Sequence, residues 1–370
     1  MANVRPSSIA VRGMLVVLTI GLSIPLAQSP LMAQTEAATA VEAAVAAARD
    51  QGSDVAIAIE EPQAAVPVSG RTTIRGWAAD LRADGPGIDP GNLQVWLGGG
   101  EGNPLGFAQY GWRRDDIATL LGDERYLPTG FTLGWETCTF PAGNYNVTAF
   151  GWRRESADFG AAATNVTVRP CPQPAGSLLF HEALDGTNPS WPEGEVPGQC
   201  IGQYQEGAYH IQKLSTDPRD LCGVGDTDRT VYKDFALAVE GRVVEPAPTR
   251  VVSIAVRCNI SQASAKTNDC YTVNLDPVLG NVSLNYIFNQ EGRTSYIHIA
   301  EAQAEMHPGS AYNRVEVIAD GSLLRVLVNG EQVLDARDER SSWGGILLGA
   351  GAPPGERSQA AYRDVNVFSR

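Results

Sequence analysis

Short runs in which apolar and polar residues alternate fill the chain from about residue 53 onward. Examples are "TTIRGWAAD" from Thr72, "NYNVTAFGW" from Asn144 and "SLLRVLVNG" from Ser322. A period of two residues is typical of β-strands, and Gly, Pro, Asn and Asp separate the runs as turn residues do. No stretch in this part of the sequence keeps a 3.6-residue period for three turns. The pattern therefore predicts an all-β protein after residue 52.

The N-terminal part of the chain has a different pattern. Residues 1–33 carry Arg5 and Arg12 ahead of an apolar run that is too short to span a bilayer, which predicts a secretory signal peptide. An uncleaved leader that anchors the chain to a membrane is the alternative. Residues 34–52 are rich in alanine but lack a broad stripe of large apolar residues, so we predict a frayed helix that acts as a linker.

Proline and the number of apolar runs divide the β region into two predicted domains. Residues 172–176 form a predicted Pro-rich linker. Residues 53–171 contain seven short runs, a number typical of an immunoglobulin-like β-sandwich. Residues 177–370 contain ten or more alternating runs, which predict an antiparallel jelly-roll sandwich. The turns "ADG" and "VNG", which end at Gly321 and Gly330, predict tight hairpins within it.

The net charge narrows the classes of partner. The chain has 28 Lys and Arg against 42 Asp and Glu, and its formal net charge is −14 at pH 7. A surface this acidic repels nucleic acids and anionic membranes. We therefore predict no nucleic-acid partner, and no membrane contact except through an uncleaved leader.

The chain contains six cysteines. If the leader directs secretion, they enter an oxidising compartment, and an even number then favours disulfides over metal ligands. If each domain folds alone, the first domain has a single possible pair and the other four cysteines have three possible pairings. The bonds that we favour are Cys138–Cys171, Cys200–Cys222 and Cys258–Cys270. No CxxC spacing is present, and we predict neither a metal site nor a cofactor.

Residues 53–171 contain, in order, "VSGRTTIRGWAAD", "IDPGNLQVWLGG", "LGFAQYGW", "GFTLGWET" and "PAGNYNVTAFGW". This pattern of Gly, Trp and Asp resembles a bacterial immunoglobulin-like module. Such modules occur in secreted and envelope proteins, often as spacers. The resemblance therefore implies a spacer role for the first domain.

Residues 177–370 contain "LLFHEALDGTNPSWPEGE", "YQEGAYHIQK", "YKDFALAVEGRVV", "NRVEVIADGSLLRVLVNGEQVLDARD" and "GGILLGAG" in that order. They resemble the concanavalin A-like superfamily, and within it the branch of 3-keto-disaccharide hydrolase-like and laminin G-like domains. The hairpin at Gly321–Gly330 is the most specific part. Members include glycan hydrolases and non-catalytic carbohydrate-binding modules, so the resemblance implies a glycan partner without deciding on catalysis.

The sequence lacks the catalytic signatures that this resemblance would supply. Glycoside hydrolases on this fold typically carry Glu-x-Asp-x-x-Glu on one strand, because they need paired carboxylates. The central strand "CYTVNLDP" offers only Asp276. The four histidines are scattered, and no Gly-x-Ser-x-Gly turn is present. We predict no catalytic residue, and a hydrolase that uses Asp276 is the alternative.

Polar residues on three central strands predict a carbohydrate-binding face. Alternation in "YTVNLD", "VSLNYIF" and "SYIHIA" places Asn274, Asn285, Tyr296 and His298 on the side away from the core. Amide and imidazole groups can bond to hydroxyls, and the tyrosine ring can serve as an aromatic platform. The alternative is that these residues form only the solvated side of a sheet.

The motif "YGWRRDD" from Tyr110 is echoed by "FGWRRES" from Phe150. Trp112 with Arg113, and Trp152 with Arg153, are weaker candidates for a ligand-binding surface. We favour a structural explanation, in which two strands of one sandwich end alike. In that explanation the residue before each glycine shares a face with the tryptophan, and the arginines stack on the indoles.

Three aspartates in "WAADLRADGPGIDPGN" raise the question of a calcium site. Asp80, Asp84 and Asp89 could supply carboxylate ligands to calcium. Their spacing fits no EF-hand register, and Asp, Gly and Pro are the ordinary residues of turns. We therefore predict turns rather than a metal site.

Together these observations predict a secreted or surface-anchored, extracytoplasmic protein that binds a glycan or envelope polysaccharide without catalysis. A hydrolase acting on a glycan or a modified (3-keto) disaccharide is the first alternative. A protein-protein scaffold of the cell envelope is the second. The sequence does not determine the oligomeric state.

Overall fold

The computed structural model describes residues 30–370 apart from 65, 83, 86, 99–102, 155, 172–173, 197–199, 216–221, 245–250, 261–266, 291–292 and 352–356. The predicted signal peptide lies outside the described residues except for its last four, and so does part of the predicted linker 172–176. Residues Val41–Arg370 form one compact unit. Across the described residues, no helix is both long enough and apolar enough to cross a membrane.

The alanine-rich segment forms helix α1 (Pro30–Asp50). From Val41 onward the helix is part of the compact unit, because Val41 and Ala48 are buried in one apolar cluster with Trp77 and Ile117. Alanine side chains are short, so they allow a helix to lie close to a sheet. This half of the helix is therefore held by tertiary packing, in contrast to the frayed linker that local periodicity predicted.

In the part of the chain that the structure describes, the first β-sandwich contains eight strands and one short helix. They are β1 (Val55–Glu61), β2 (Arg71–Asp80), β3 (Ile88–Leu97), β4 (Asn103–Phe107), β5 (Gln109–Trp112), α2 (Asp115–Leu121), β6 (Gly130–Glu136), β7 (Gly143–Arg153) and β8 (Phe159–Val168). One antiparallel sheet has the order β1-β2-β6-β5 and the other has the order β4-β3-β7-β8. Segments of 3₁₀ helix at Glu124–Thr129, which is kinked at Pro128, and at Thr137–Thr139 flank β6.

The predicted strand in "LGFAQYGW" is two strands. It divides at Ala108, which is fully buried and whose N–H donates to the Leu93 carbonyl at 2.9 Å. On one side β4 pairs with β3, and on the other β5 pairs with β6 of the opposite sheet. One continuous alternating run thus passes from one sheet of the sandwich to the other. Periodicity along the sequence does not reveal this change of sheet.

Among its described residues, the second sandwich contains fifteen strands. They are β9 (Leu178–Glu182), β10 (Gly194–Val196), β11 (Cys200–Gln205), β12 (Ala208–Lys213), β13 (Cys222–Gly225), β14 (Phe235–Val243), β15 (Val251–Ile260), β16 (Thr267–Asp276), β17 (Asn281–Gln290), β18 (Arg293–Gln303), β19 (Asn313–Asp320), β20 (Leu323–Val328), β21 (Glu331–Arg337), β22 (Gly345–Gly351) and β23 (Ser358–Ser369).

These strands form two antiparallel sheets over one core. The nine-stranded sheet has the order β10-β11-β12-β23-β14-β19-β20-β21, with β9 beside β23, and the six-stranded sheet has the order β13-β22-β15-β16-β17-β18. Apolar residues from both sheets interdigitate between them, including Phe235 and Val317 from one sheet and Tyr271 and Leu284 from the other. The arrangement is that of a jelly-roll sandwich, as alternation predicted.

The two predicted hairpin turns are confirmed. β19 pairs with β20 through a turn in which Gly321 has φ +53°, and β20 pairs with β21 through Asn329 and Gly330 at φ +52° and +86°. A positive φ is tolerated by glycine and asparagine with little strain, which is why "DG" and "NG" mark such turns.

Two of the three predicted disulfides are present, Cys138–Cys171 and Cys258–Cys270. The predicted bond between Cys200 and Cys222 is not made, and both are buried free thiols that share a hydrogen bond. The two cysteines begin β11 and β13, which belong to facing sheets. Strands of the two facing sheets bring the thiols within hydrogen-bond distance, so the predicted pairing identified spatial neighbours but not a covalent bond.

A segment of the second sandwich extends a strand of the first. Gly134 N donates to the Asp228 carbonyl at 2.6 Å, and Val231 N donates to the Gly134 carbonyl at 3.0 Å beside β6. The Val231 side chain is buried in the core of the first sandwich. At a second contact, Trp343 Nε1 donates to the Pro104 carbonyl at 2.7 Å. Backbone pairing and shared core together fix the two sandwiches against each other.

Candidate functional site

The outward face of the six-stranded sheet brings the four predicted glycan-binding residues together. Asn285 on β17 pairs with His298 on β18, and His298 Nδ1 lies 3.1 Å from Asn285 Oδ1. Asn274 on β16 accepts a hydrogen bond from Ser253 Oγ at 2.7 Å. Tyr296 has 73% of its surface exposed. The residues form a polar strip over three neighbouring strands, with an exposed ring at its edge.

Hydrogen bonds within the strip hold its side chains in place. Asn285 Nδ2 donates to Ser283 Oγ at 3.2 Å, while its Oδ1 faces the imidazole of His298. On the other side of the ring, His298 Nε2 lies 3.8 Å from a carboxylate oxygen of Glu301. A side chain already restrained in this way loses less conformational entropy when a ligand binds.

A β-bulge aims the residues of β18. The register with β17 shifts at one point, so that Leu284 pairs with Ala300 but Asn285 pairs with His298. The skipped residue, Ile299, and the next residue, Ala300, both pack against the core, so the bulge interrupts the alternation of β18 directly after His298. Bulges of this kind re-aim side chains at sheet edges. The bulge therefore contributes to the position of His298 over Asn285.

Asp276, the carboxylate of the alternative hydrolase hypothesis, closes a turn. Its Oδ1 accepts hydrogen bonds from the backbone N–H groups of Val278 and Leu279, both at 3.0 Å. The residue is buried at the end of β16. A carboxylate that holds two backbone donors is committed to the turn between β16 and β17, and its geometry gives no support to a role as acid or nucleophile.

The two copies of the Gly-Trp-Arg-Arg motif differ in backbone conformation. Gly111 has φ +106°, and the pairing of β5 with β6 shifts register at this point. Tyr110 therefore turns inward, where its hydroxyl donates to the Ala78 carbonyl at 2.8 Å, and Trp112 turns outward. Gly151 lies within the regular ladder of β7. The prediction that Tyr110 and Trp112 share a face is wrong, because the backbone at Gly111 breaks the alternation of the strand. Glycine adopts this positive φ without the strain that a side chain would cause.

Trp112 lines an open cleft of about 680 Å³ on the outward face of the β1-β2-β6-β5 sheet. We call it the Trp112 cleft. The polar residues that line it are Glu60, Thr73, Arg75, Arg113, Arg114, Thr132 and Asp228. Trp112 has 45% of its surface exposed, and its Nε1 donates to Thr132 Oγ1 at 3.1 Å. The cleft therefore combines an exposed indole with hydroxyl, carboxylate and guanidinium groups.

Trp152 belongs to a different surface from Trp112. It lies on β7 of the second sheet of this sandwich, 5.8 Å from the Phe150 ring and 5.5 Å from the Phe159 ring. Trp96 adds an edge-to-face contact with Phe150 at 6.1 Å. The rings cover one another, and Trp152 itself is half-buried. The structure thus separates the two predicted tryptophan sites.

The arginines of the repeated motif bind carboxylates. Arg113 Nε donates to Asp115 at 2.9 Å, and this hydrogen bond raises the pKa of the exposed guanidinium. Arg153 lies 3.3 Å from Asp54 and 3.1 Å from Asp158. Among the described residues, no arginine stacks on either indole, so the predicted stacking is wrong. Attraction to the nearby acids determines both guanidinium positions.

Two of the three aspartates of the suggested calcium loop act in turns, and the third, Asp84, lies 3.6 Å from the Arg82 guanidinium. Asp80 accepts hydrogen bonds from the backbone N–H groups of Arg82 and Gly87, at 3.1 and 3.3 Å. Asp89 accepts one from Gly91 N at 3.0 Å. These are the side-chain to backbone bonds that make aspartate common in turns, as predicted for this segment.

Sequence reasoning missed most of the Trp112 cleft. Alternation in "TTIR" could have indicated that Thr73 and Arg75 share the outward face of β2 with each other. No local pattern could have indicated Asp228, because it reaches the cleft from the second sandwich by pairing beside β6.

Most of the second sandwich matches the model of a known protein family. Residues 188–367 match the family model of the 3-keto-alpha-glucoside-1,2-lyase-like domain. The predicted resemblance to this branch of the concanavalin A-like superfamily is confirmed for these residues. No curated protein sequence matches the chain significantly.

Three solved structures show the range of similar chains. Carbohydrate binding module CBM66 from Bacillus subtilis is 16% identical, with 51% of this chain and 95% of that chain covered and a TM-score of 0.34. The beta-glucanase of Bacillus licheniformis is 13% identical, with 53% and 99% covered and a TM-score of 0.38. A protein with a galectin-like fold from Bacillus subtilis is 12% identical, with 53% and 97% covered and a TM-score of 0.41.

Proposed function

We propose that this protein binds glycans without catalysis, through the outward face of its six-stranded sheet. The observation that carries the proposal is the strip formed by Asn274, Asn285 and His298 beside the exposed ring of Tyr296. The strip lies within the residues that match a family named for a glucoside. Amide and imidazole groups can bond to sugar hydroxyls, and a tyrosine ring offers an apolar surface for the C–H face of a pyranose.

The first sandwich is, in this proposal, an immunoglobulin-like module that carries the glycan-binding domain. Its sheet orders β1-β2-β6-β5 and β4-β3-β7-β8 correspond to the arrangement of such modules, with one extra strand beside the third. Val231 packs into the core of this sandwich, which supports a module that is rigidly attached to the glycan-binding domain and not a flexible spacer.

We place the protein outside the cytoplasm, either secreted or held at the cell surface. Two disulfides support this location, because disulfides persist in oxidising compartments. A leader-like N-terminus supports it as well. The proposed partner is therefore a polysaccharide of an envelope or of the surroundings.

Replacing Tyr296 with alanine is expected to weaken binding to the cognate polysaccharide about tenfold, which corresponds to about 1.4 kcal/mol. The loss follows because the ring contributes the apolar contact of the face, whereas Tyr296→Phe keeps that contact and should bind within about threefold of the parent. Affinity electrophoresis of the full chain against a panel of soluble polysaccharides measures both changes.

The control is Val278→Ala, which truncates a similarly exposed side chain at the nearby β16–β17 turn. Unchanged binding in that variant is expected. A full chain that binds no polysaccharide, or a Tyr296→Ala variant that binds as the parent does, would remove the proposed role of this face.

Catalysis on a keto-sugar glucoside is the second candidate, and the matched family model is the observation that favours it. The test is incubation of the full chain with a 3-keto-α-glucoside and measurement of the released sugar. Release above the rate without protein would replace the non-catalytic proposal. Because Asp276 closes a turn, we expect no turnover that depends on its carboxylate.

A further inference from the structure

We infer that the Trp112 cleft is a second saccharide site, separate from the six-stranded sheet, and that it takes a neutral oligosaccharide. Apart from Asp228, the residues that line the cleft belong to the first sandwich and lie outside residues 188–367, which match the carbohydrate-related family. The inference therefore stands on the geometry of the cleft and not on the proposal above.

The indole of Trp112 is held ready as a platform. Its Nε1–H donates to Thr132 Oγ1 on the paired strand, which fixes the plane of the ring over β6. Opposite it on β6, a Cβ on Gly130 would lie 2.9 Å from the Trp112 carbonyl oxygen and 3.0 Å from its Cβ. The glycine thus allows the close approach that lays the ring along the sheet. A ring fixed in this way binds a sugar face without first losing rotamer freedom.

Two parts of the fold bound the outward face on which the cleft lies. Helices α1 and α2 cover Trp77 and Ala79 at one end of the outward face. At the other end, the Asp228 carbonyl accepts the N–H of Gly134, which brings the Asp228 side chain to the rim. Along β2 the lining runs from Thr73 to Gly76, three residues or about 10 Å at ~3.3 Å per residue. This length suits a short oligosaccharide better than a single small ion.

The floor offers hydroxyl groups and the rim offers charged groups that are already paired. Thr73 and Thr132 supply hydroxyls from neighbouring strands. At the rim, Asp228 lies 3.1 Å from Arg71, and Arg75 lies 3.8 Å from Glu61. The carboxylate can still accept hydrogen bonds from sugar hydroxyls, and the guanidinium can still donate them.

Charge compensation selects against anionic ligands. Arg114 donates to both carboxylate oxygens of Glu60, at 2.8 and 2.9 Å, and also to Asp116. Hydrogen bonding to Asp116 raises the pKa of the Arg114 guanidinium. Because the cations of the cleft have acidic partners and the chain carries a net charge of −14, a polyanion gains little from entering. A neutral chain of sugars loses nothing from this arrangement.

The test measures binding of cellohexaose, laminarihexaose, maltohexaose and polygalacturonate to the full chain by calorimetry. Each ligand is tested with the parent, Trp112→Ala, Thr132→Val and Phe159→Ala, all in a Tyr296→Ala background that weakens the first site. We expect at least one neutral hexasaccharide to bind this background. Trp112→Ala should weaken that binding at least tenfold, and Thr132→Val, which frees the indole, about threefold.

Phe159→Ala is the matched control, because it removes another exposed aromatic ring from the same sandwich, and it should leave binding unchanged. The inference is overturned if no neutral hexasaccharide binds the Tyr296→Ala background. It is also overturned if Trp112→Ala binds as the background does, or if polygalacturonate binds more tightly than the neutral ligands. Binding by the parent that disappears with Tyr296→Ala would retain the proposed function while removing this second site.

Discussion

Replacing Arg257 with methionine is expected to lower the free energy of unfolding by about 4 kcal/mol, the largest effect of any substitution considered for this protein. Arg257 is fully buried at the bulge of β15. Its guanidinium donates to the carbonyl oxygens of Lys233, Gly321 and Ser341, at 2.8 to 3.2 Å. It also donates to Asp234 Oδ1 at 3.2 Å.

These bonds connect four parts of the fold that are distant in sequence. Gly321 belongs to the turn between β19 and β20 of the nine-stranded sheet, whereas Arg257 belongs to the six-stranded sheet. Methionine has a similar length but no donors, so it would leave three carbonyl oxygens and one carboxylate without this partner. Each unsatisfied buried group costs about 1–3 kcal/mol, which supports the expected total.

Urea denaturation of the full chain at pH 7 measures the change, with Arg325→Met as control. Arg325 makes the same kind of bond at the surface, to Asp335 at 2.8 Å, and its loss should cost less than about 1 kcal/mol. The free energy of unfolding of Arg257→Lys should lie between the values of the parent and of Arg257→Met, because an ammonium group cannot donate hydrogen bonds in all these directions. Equal losses for Arg257→Met and Arg325→Met would contradict the role assigned to these buried bonds.

Replacing Arg71 with methionine is expected to lower the free energy of unfolding by about 3 kcal/mol at pH 7 and by clearly less at pH 4. Arg71 begins β2 of the first sandwich and binds two carboxylates of the second, Asp226 at 2.9 Å and Asp228 at 3.1 Å. Asp226 is buried, with 8% of its surface exposed. The substitution removes the cation that is hydrogen-bonded to this buried carboxylate.

The pH dependence follows from the protonation of Asp226. Burial raises the pKa of its carboxyl group, and the charge of Arg71 opposes that rise. Without Arg71 the pKa rises further, so the folded variant binds more protons than the unfolded chain between the ordinary aspartate pKa of about 3.9 and the raised value. Stability then decreases as pH increases through this range, and the difference from the parent grows from pH 4 to pH 7.

Arg75→Met is the matched control, since Arg75 lies four residues along the same strand, is half exposed and is 3.8 Å from Glu61. We expect it to cost less than about 0.5 kcal/mol at either pH. Denaturation of both variants at pH 4, 5, 6 and 7 measures the slopes. An Arg71→Met cost that is constant over this range would argue against a buried, ionised Asp226 at the interface.

The sequence predicted the polar strip on the six-stranded sheet, but it missed most of the Trp112 cleft. Alternation in β16, β17 and β18 was enough to place Asn274, Asn285, Tyr296 and His298 on one face, because side-chain direction in a strand is a local property. The same reasoning was wrong for Tyr110 and Trp112, since the positive φ of Gly111 interrupts the alternation. Two nearly identical motifs therefore have different structures: Trp112 lines an open cleft, whereas Trp152 packs against Phe150 and Phe159.

By itself the sequence determined the features that depend on local chemistry. They include the all-β class, the hairpins at Gly321 and Gly330, and the family of residues 188–367. These features follow from residue order over a few positions or from a motif. The division into domains and one short loop also indicated the two disulfides that the structure contains, together with a third, Cys200–Cys222, that it does not.

The tertiary structure alone decided how distant segments meet. Examples are the pairing of residues near Asp228 with β6, the packing of α1 from Val41 onward, and the unbonded state of Cys200 and Cys222. The physical reason is that such contacts join segments that are far apart in sequence, as in the bond from Trp343 to Pro104. Their free energy depends on the burial and geometry of both partners together, which no pattern within either segment contains.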